Sequence, residues 1–318
     1  MQDNELHPDA LEIINDVRLA EKSGERIPMY EMNHINARES YLAMRSALSP
    51  ATPDVLEVKD IEIPVENDNI KARFYRGINN NKNDVLPVTI FFHGGGWVIG
   101  DLDTHDVVCR QLANQGNFDV IAIDYRMGPE FRFPIAINDA VNSINWVKKN
   151  PLKLPIDSSK IAVCGDSAGG NIATVCCIHS KINSGPLISF QALVYPSTHM
   201  GTNYPSKDKY DGYILSKKLM SWFEEKYIDK DQLLDWRAAP ILYKNLSDLP
   251  KSLIVVAGCD PLKDEGIAYG QALIQAGNSS EIVNFDGQIH GFLTMGARIK
   301  DTEKLINLLS KKISEAFQ

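Results

Sequence analysis

Lys160-Ile-Ala-Val-Cys-Gly165-Asp-Ser-Ala-Gly-Gly170-Asn-Ile-Ala-Thr-Val-Cys-Cys-Ile178 decides the fold. Residues 160–164 form a short apolar run that reads as a buried strand, and 171–178 read as a helix. Only Gly165 to Gly170 lies between them, so the turn must be very tight. G-x-S-x-G at a strand-to-helix junction is a nucleophile elbow. Glycines on both flanks avoid clashes while the middle residue, Ser167, takes a strained backbone and projects its side chain outward. The N–H groups and dipole of the following helix favour an oxyanion nearby. The glycine spacing fits neither G-x-x-x-x-G-K nor G-x-G-x-x-G, which argues against a phosphate loop.

Working outward, short apolar runs alternate with longer amphipathic stretches. The runs are 88–92, 120–123, 160–164, 190–194, 253–257 and 281–285. Helices are expected near 104–116, 135–149, 168–182 and 263–276, with a last one from 301. Such alternation predicts a mostly parallel sheet of about eight strands with helices on both faces. Before it, Val58, Ile61 and Ile63, then Ile70, Ala72 and Phe74, alternate about the turn Glu66-Asn-Asp-Asn69 and predict an antiparallel pair. Residues 8–48 look helical. About 55 residues separate the strand ending at Tyr195 from the next at Leu253, too many for a plain crossover. Tyr213, Trp222, Phe223 and Tyr227 in that span suggest an inserted helix above the sheet's C-terminal edge. The expected organisation is therefore cap helices over 1–48 and a catalytic domain over 49–318 with a cap insert at about 196–250.

The 318 residues are 44% hydrophobic and 23% charged, with 33 Lys+Arg against 41 Asp+Glu. That is an ordinary globular composition with room for one large α/β domain, and it excludes a disulfide-stapled miniprotein. A net charge of −8 without a basic run supplies no footprint for nucleic acid or an anionic membrane surface. The longest uncharged stretch, Ile182 to Ser206, is interrupted by Pro186, Pro196 and Pro205 and cannot span a bilayer. Residues 2–19 carry five acids and one Arg and lack an apolar signal region, so the cytoplasm is the default expectation. The five cysteines, without CxxC spacing, point to reduced and buried thiols. With no HExxH or CxxC either, no metal and no cofactor are expected.

A serine hydroxyl needs a base, and the base needs an orienting acid. Of seven histidines, His7, His34, His105, His179 and His199 fall in helical or inserted segments and read as surface or packing residues. His290 lies in Asp286-Gly-Gln-Ile-His-Gly291, read as the loop after the last strand. In a parallel sheet this loop opens at the same edge as the elbow. Asp260 follows Leu253-Ile-Val-Val-Ala-Gly-Cys259 and reaches that edge too, although Asp260-Pro261 is also a good helix start. Asp264 and Asp286 are lesser candidates for the acid. Three glycines in His93-Gly-Gly-Gly-Trp97, directly after a strand, would let a carbonyl oxygen approach backbone donors closely.

Five segments occur in order: His93-Gly-Gly-Gly-Trp97, Asp124-Tyr-Arg-Met-Gly-Pro-Glu130, Gly165-Asp-Ser-Ala-Gly-Gly-Asn171, Asp260-Pro-Leu-Lys-Asp264 and His290-Gly-Phe292. Together the chain resembles the hormone-sensitive-lipase-like group of α/β-hydrolases, the bacterial family IV carboxylesterases, over roughly residues 55–318. The chain order of serine, acid and histidine is also that of this fold. The resemblance implies a triad of Ser167, Asp260 and His290 and an oxyanion hole from the N–H groups of Gly95, Gly96 and Ala168. It implies that His93 holds the glycine loop with Glu130 nearby, and that Gly94 and Asp166 support them. Trp97, Tyr195, Leu215 and Phe292 are candidate pocket walls. Met127-Gly128 stands where Leu-Ala is usual, and Arg132 where His is common.

The function expected is therefore a serine carboxylesterase for short to medium acyl esters, with a small-molecule ester as partner. The alternatives are an amide or N-acyl hydrolase on the same groups and a non-catalytic small-molecule receptor. A homodimer is suggested by family analogy alone.

Overall fold

A computed structural model describes residues 5–150 and 152–318. Two helices come first, α1 (Pro8–Ser23) and α2 (His34–Leu48), the second capped where the Asn33 side chain accepts from the Asn36 N–H at 2.9 Å. The strands are β1 (Glu57–Val65), β2 (Asp68–Arg76), β3 (Leu86–Phe92), β4 (Asp119–Ile123), β5 (Ile156–Asp166), β6 (Ile188–Val194), β7 (Lys251–Cys259) and β8 (Ser280–Ile289). The remaining helices are α3 (Asp106–Gln115), α4 (Ile135–Lys149), α5 (Ala168–Ile182), α6 (Pro205–Lys209), α7 (Lys217–Tyr227), α8 (Lys263–Gln275) and α9 (Asp301–Ala316).

One sheet orders the strands β1-β2-β4-β3-β5-β6-β7-β8. It is antiparallel at β1/β2 and β2/β4 and parallel across every other pair. Alternate side chains of each central strand enter opposite layers, as the pleat dictates. Ile90, Phe92 and Val163 join one cluster with α4, α5 and α8, whereas Phe91, Ala162 and Cys164 join the other with α3 and α9. Both faces are covered, hence the continuous apolar runs. The five cysteines are free and buried.

The register brings four strand ends to one edge. Phe92 pairs with Gly165, Asp166 with Val194, and Cys259 with Ile289. The loops leaving β3, β5, β7 and β8 therefore open side by side. One expectation needs correcting here: Asp286 is not in a loop, because β8 runs on to Ile289. The pairing shifts between Ala257 and Cys259, and Gly287, at φ 73°, takes the left-handed backbone that this bulge needs. His290 is the first residue past the strand.

The span between β6 and β7 holds α6 and α7 together with short 3₁₀ turns at Lys230–Gln232 and Pro240–Leu242. Tyr213, Trp222, Phe223 and Tyr227 are all buried there, and the Trp222 indole N–H donates to the Met32 carbonyl just before α2, at 3.3 Å. The two irregular regions thus meet each other. Among the described residues, no helix is long and apolar enough to cross a membrane.

At the opposite edge, Arg76 and Asp119 form an ion pair with no exposed surface on either side chain. The guanidinium donates to both Asp119 oxygens, at 3.0 and 2.5 Å, and to the carbonyls of Asn81, Lys82 and Pro155. Burial pushes the Asp119 carboxyl up to about 6 even though Arg76 pulls it down. Removing one partner of a buried pair strands the other. Arg76→Met should therefore lower unfolding free energy by about 3–5 kcal/mol, read from urea denaturation at pH 7.5. A loss below about 1 kcal/mol would show that this pair does not hold the edge.

Candidate active site

Ser167 is the single residue between β5 and α5, at φ 55° and ψ −117°, a conformation that L-residues rarely adopt. Its neighbours explain why it is held there. The Ser167 N–H donates to the Val194 carbonyl at 2.8 Å, and its own carbonyl accepts from Asn171 and Ser197. A methyl group on Gly169 would overlap the Phe92 carbonyl, and one on Gly165 would overlap Gly169, so α5 seats directly against the sheet only because both lack side chains.

From this perch the hydroxyl meets an imidazole. Ser167 Oγ lies 2.9 Å from His290 Nε2, and His290 Nδ1 lies 2.7 Å from Asp260 Oδ2. Asp260 is fully buried and His290 nearly so. The other Asp260 oxygen accepts the Leu262 N–H at 2.8 Å. Asp260 therefore holds the turn that leads into α8 with one oxygen and meets His290 with the other, while the N-cap position of α8 itself falls to Leu262. Asp264 instead caps Ser206 at 2.8 Å, and Asp286 pairs with Asn284 within β8; neither reaches His290.

The glycine loop is fixed from several sides. His93 Nδ1 lies 2.8 Å from the Gly94 carbonyl, and its ring stacks on Tyr125 with centroids 4.4 Å apart. The Tyr125 hydroxyl donates to the His93 carbonyl at 2.7 Å. Burial, then the charge of His105, pushes the His93 imidazole down to about 4, so it stays neutral at physiological pH. Gly95 and Gly96 sit at φ 126° and 59°. A methyl group on Gly96 would overlap the Phe223 ring, and one on Gly95 the Ile99 carbonyl, so bare backbone is required at both.

Asp166 ties this loop to the elbow. One carboxylate oxygen accepts the Gly94 N–H at 2.8 Å and lies 3.1 Å from His105 Nε2. Burial would raise this carboxyl, but His105 and the Gly94 N–H outweigh it and hold the group below its ordinary value. His105 is only 1% exposed. Its pairing spans 61 positions of sequence, a separation at which no local pattern points to the partner.

Glu130 requires a correction, because it does not reach His93. It is held by Arg38 of α2, whose guanidinium makes two bonds of 2.8 Å to it, and His34 lies 3.2 Å away. Arg38 pulls the Glu130 carboxyl down to about 2. The same guanidinium donates to the carbonyls of Val98 and Gly128, at 2.8 and 2.9 Å. The residue that grips the end of the glycine loop is thus Arg38.

A cavity of about 240 Å³ opens over Ser167 and His290. Gly95, Gly96 and Ala168 line it, together with residues of α1, α2 and α7. Trp97 and Leu215 are on its wall as expected. Tyr195 and Phe292 are not. They are buried behind His290, whose ring centroid lies 4.7 Å from that of Tyr195, and the Tyr195 hydroxyl accepts the Leu293 N–H.

Residues 89–294 match the family described as alpha/beta hydrolase fold. The chain belongs to this family. Within it the chain falls in the hormone-sensitive-lipase-like group to which its motifs pointed. Esterase LipI of Mycobacterium tuberculosis is 40% identical over 247 residues, 77% of each chain. Ethyl acetate hydrolase of Pseudomonas putida is 30% identical over 306 residues, covering 94% of this chain and 95% of its own. A crystal structure of an α/β-hydrolase enzyme from the metagenome of Lake Arreo, Spain, superposes with a TM-score of 0.94 at 34% identity, covering 99% of both chains.

Two departures from the usual hydrolase motifs have a local reason here. A methyl group on Gly128 would stand 2.5 Å from the Lys226 carbonyl at the end of α7, so the usual alanine does not fit under this helix. Arg132 donates to the Glu225 carbonyl and to Asp229, at 2.8 and 2.6 Å, tying the same helix end down.

Asp166 supplies this hydrolase with a test of how far the glycine loop depends on the elbow. Asp166→Asn keeps the size but loses the charge facing His105 and weakens the hold on the Gly94 N–H. A displacement of about 1 Å in a positioning group can cost 10²-fold. The expected result is a fall of about 10²-fold in kcat on an activated ester with KM within a factor of three. A variant at full kcat would show that the loop is held without this carboxylate.

Proposed function

We propose that this chain is a serine carboxylesterase that cleaves short to medium acyl esters through an acyl-enzyme. The observation that carries the reading is the hydrogen-bonded series Ser167–His290–Asp260, at 2.9 and 2.7 Å, with the serine on a strained elbow facing a cavity. Ester hydrolysis as the class is supported by relatives named as an esterase and an ethyl acetate hydrolase.

In this mechanism Ser167 Oγ attacks the ester carbonyl carbon while His290 Nε2 takes its proton. Asp260 holds the imidazole in the tautomer that presents Nε2 and steadies the imidazolium. The carbonyl oxygen, now negative, is received by the N–H groups of Gly95, Gly96 and Ala168. His290 returns the proton to the leaving alcohol, and a water activated by the same imidazole releases the acid. His93 and Gly94 keep the glycine loop in place, and Asp166 joins it to the elbow. Residues 5–48, the described part of the expected cap helices over 1–48, and about 196–250 act as the cap.

Ser167→Ala should lower kcat by about 10⁴ to 10⁶ with little change in melting temperature, and Asp260→Asn by about 10⁴. Initial rates on an activated acyl ester and thermal melts, taken together, check both. A Ser167→Ala variant retaining a tenth of its activity points to another nucleophile.

Acyl length should have an optimum. Each buried CH₂ contributes about 0.8 kcal/mol, so kcat/KM first rises with chain length. Once the cavity is filled, a further methylene displaces packed side chains at about 1–3 kcal/mol. Rates below the micellar limit should therefore peak between roughly two and eight carbons. A continuous rise to sixteen carbons would mean an open groove and a lipase.

A further inference from the structure

The cavity wall built from α1, α2 and the turn between them differs in charge from the wall built from α7. The α7 side presents Leu215, Leu219, Met220 and Phe223, together with Glu224, whose carboxyl burial pushes up toward its neutral form. The other side presents the guanidinium groups of Arg26 and Arg45. Arg45 is 4% exposed, stands over the Tyr41 ring at 4.8 Å, and donates from Nη1 to the Gly291 carbonyl at 3.2 Å, one residue past His290. Its Nε has no hydrogen-bond partner. Arg26 donates to the Met44 sulfur at 3.6 Å, a weak acceptor, and its nearest carboxylate, Glu21, is 4.0 Å away.

Two guanidiniums on one cavity wall, with a carbonyl, the neutral Tyr41 hydroxyl, a thioether and one loosely placed carboxylate for partners, are under-neutralised. Buried cations are ordinarily paired. Arg45, at 4% exposure, is costly beside a substrate cavity unless something negative completes it, and Arg26, a quarter exposed, adds its charge to the same wall. Burial, with the charge on Arg45 adding to it, pulls the Arg26 guanidinium below its ordinary value even though Glu21 works the other way. Planar guanidinium forks match carboxylate oxygens in geometry.

We propose that this wall receives a carboxylate carried by the substrate, so that the natural ester is an anionic one whose charged group docks on Arg45 and Arg26 while its apolar part lies against α7. The proposal rests on the serine esterase reading and deepens it. The hydrolysis itself is unchanged: water adds, the ester C–O bond breaks, and an acid and an alcohol leave. The carboxylate can sit on the acyl side, as in the monoethyl ester of a four- or five-carbon dicarboxylic acid, or on the alcohol side, as in the butyrate ester of a hydroxy acid.

The test compares each anionic ester with its neutral counterpart of equal length, in wild type, Arg26→Met and Arg45→Met, at low salt. In wild type, kcat/KM for at least one of the two anionic series should equal or exceed that of its neutral counterpart. Arg26→Met should lower the anionic-to-neutral ratio at least fivefold while leaving turnover of the neutral ester within a factor of two. Arg45→Met should lower the ratio further. Because the ratio is internal to each variant, loss of the Arg45 bond to the His290 loop affects both substrates and cancels. Should Arg45→Met not fold, Arg26→Met decides alone. If wild type favours both neutral esters over their anionic counterparts, or if the ratio moves less than fivefold in Arg26→Met, the proposal is wrong. Failure of the esterase reading would look different, since neutral esters would then not turn over either.

Discussion

Everything at the site follows from one residue being forced into a backbone conformation it would not choose. Ser167 must reverse the chain from β5 into α5 without any intervening residue. Strain of this kind is on the order of 1–3 kcal/mol and persists only where the surroundings over-determine it. Here they do, because β3, β5 and α5 approach so closely that Gly165 and Gly169 admit no side chain. The central strands are buried on both faces, so this junction cannot relax by shifting toward solvent.

From that junction the site is assembled by short links. Asp166, adjacent to the serine, reaches across to the Gly94 N–H, so the elbow and the glycine loop share one anchor. Asp260 divides its two oxygens between the Leu262 N–H and His290, so it is fixed by the turn that leads into α8. Tyr195 packs behind the imidazole and is itself backed by Phe292. Each polar group that faces the reaction is supported from behind by a buried neighbour.

The strands, the elbow and the glycine loop were legible because each depends on residues close in sequence: apolar runs, flanking glycines, a strand end; the meeting of Ser167, Asp260 and His290, distant in sequence, follows instead from three strand ends sharing one edge of the sheet. What was not legible depends on distant pairing. Glu130 lies in a motif, yet its partner Arg38 comes from a helix 92 positions earlier. Arg38 and Arg45 are seven residues apart and therefore share a face of α2, but cations on one helix face do not by themselves point to a buried partner. The extension of β8 to Ile289 was hidden because Asp286-Gly287 reads as a turn, whereas Gly287 serves a bulge inside the strand. Tyr195 and Phe292, expected as pocket walls, are fully buried and do not line the cavity, a packing outcome that no local pattern shows.

Arg38 has a thermodynamic consequence beyond its bonds. Because α2 holds the carbonyls of Val98 and Gly128 through this side chain, seating of the N-terminal helices and ordering of the glycine loop are coupled parts of one equilibrium. Coupling of this kind is reciprocal. Binding that favours the ordered loop therefore favours the seated helices by the same coupling free energy. Occupancy of the cavity is readable as slower amide exchange in α2, whose Tyr41, Met44 and Arg45 line it.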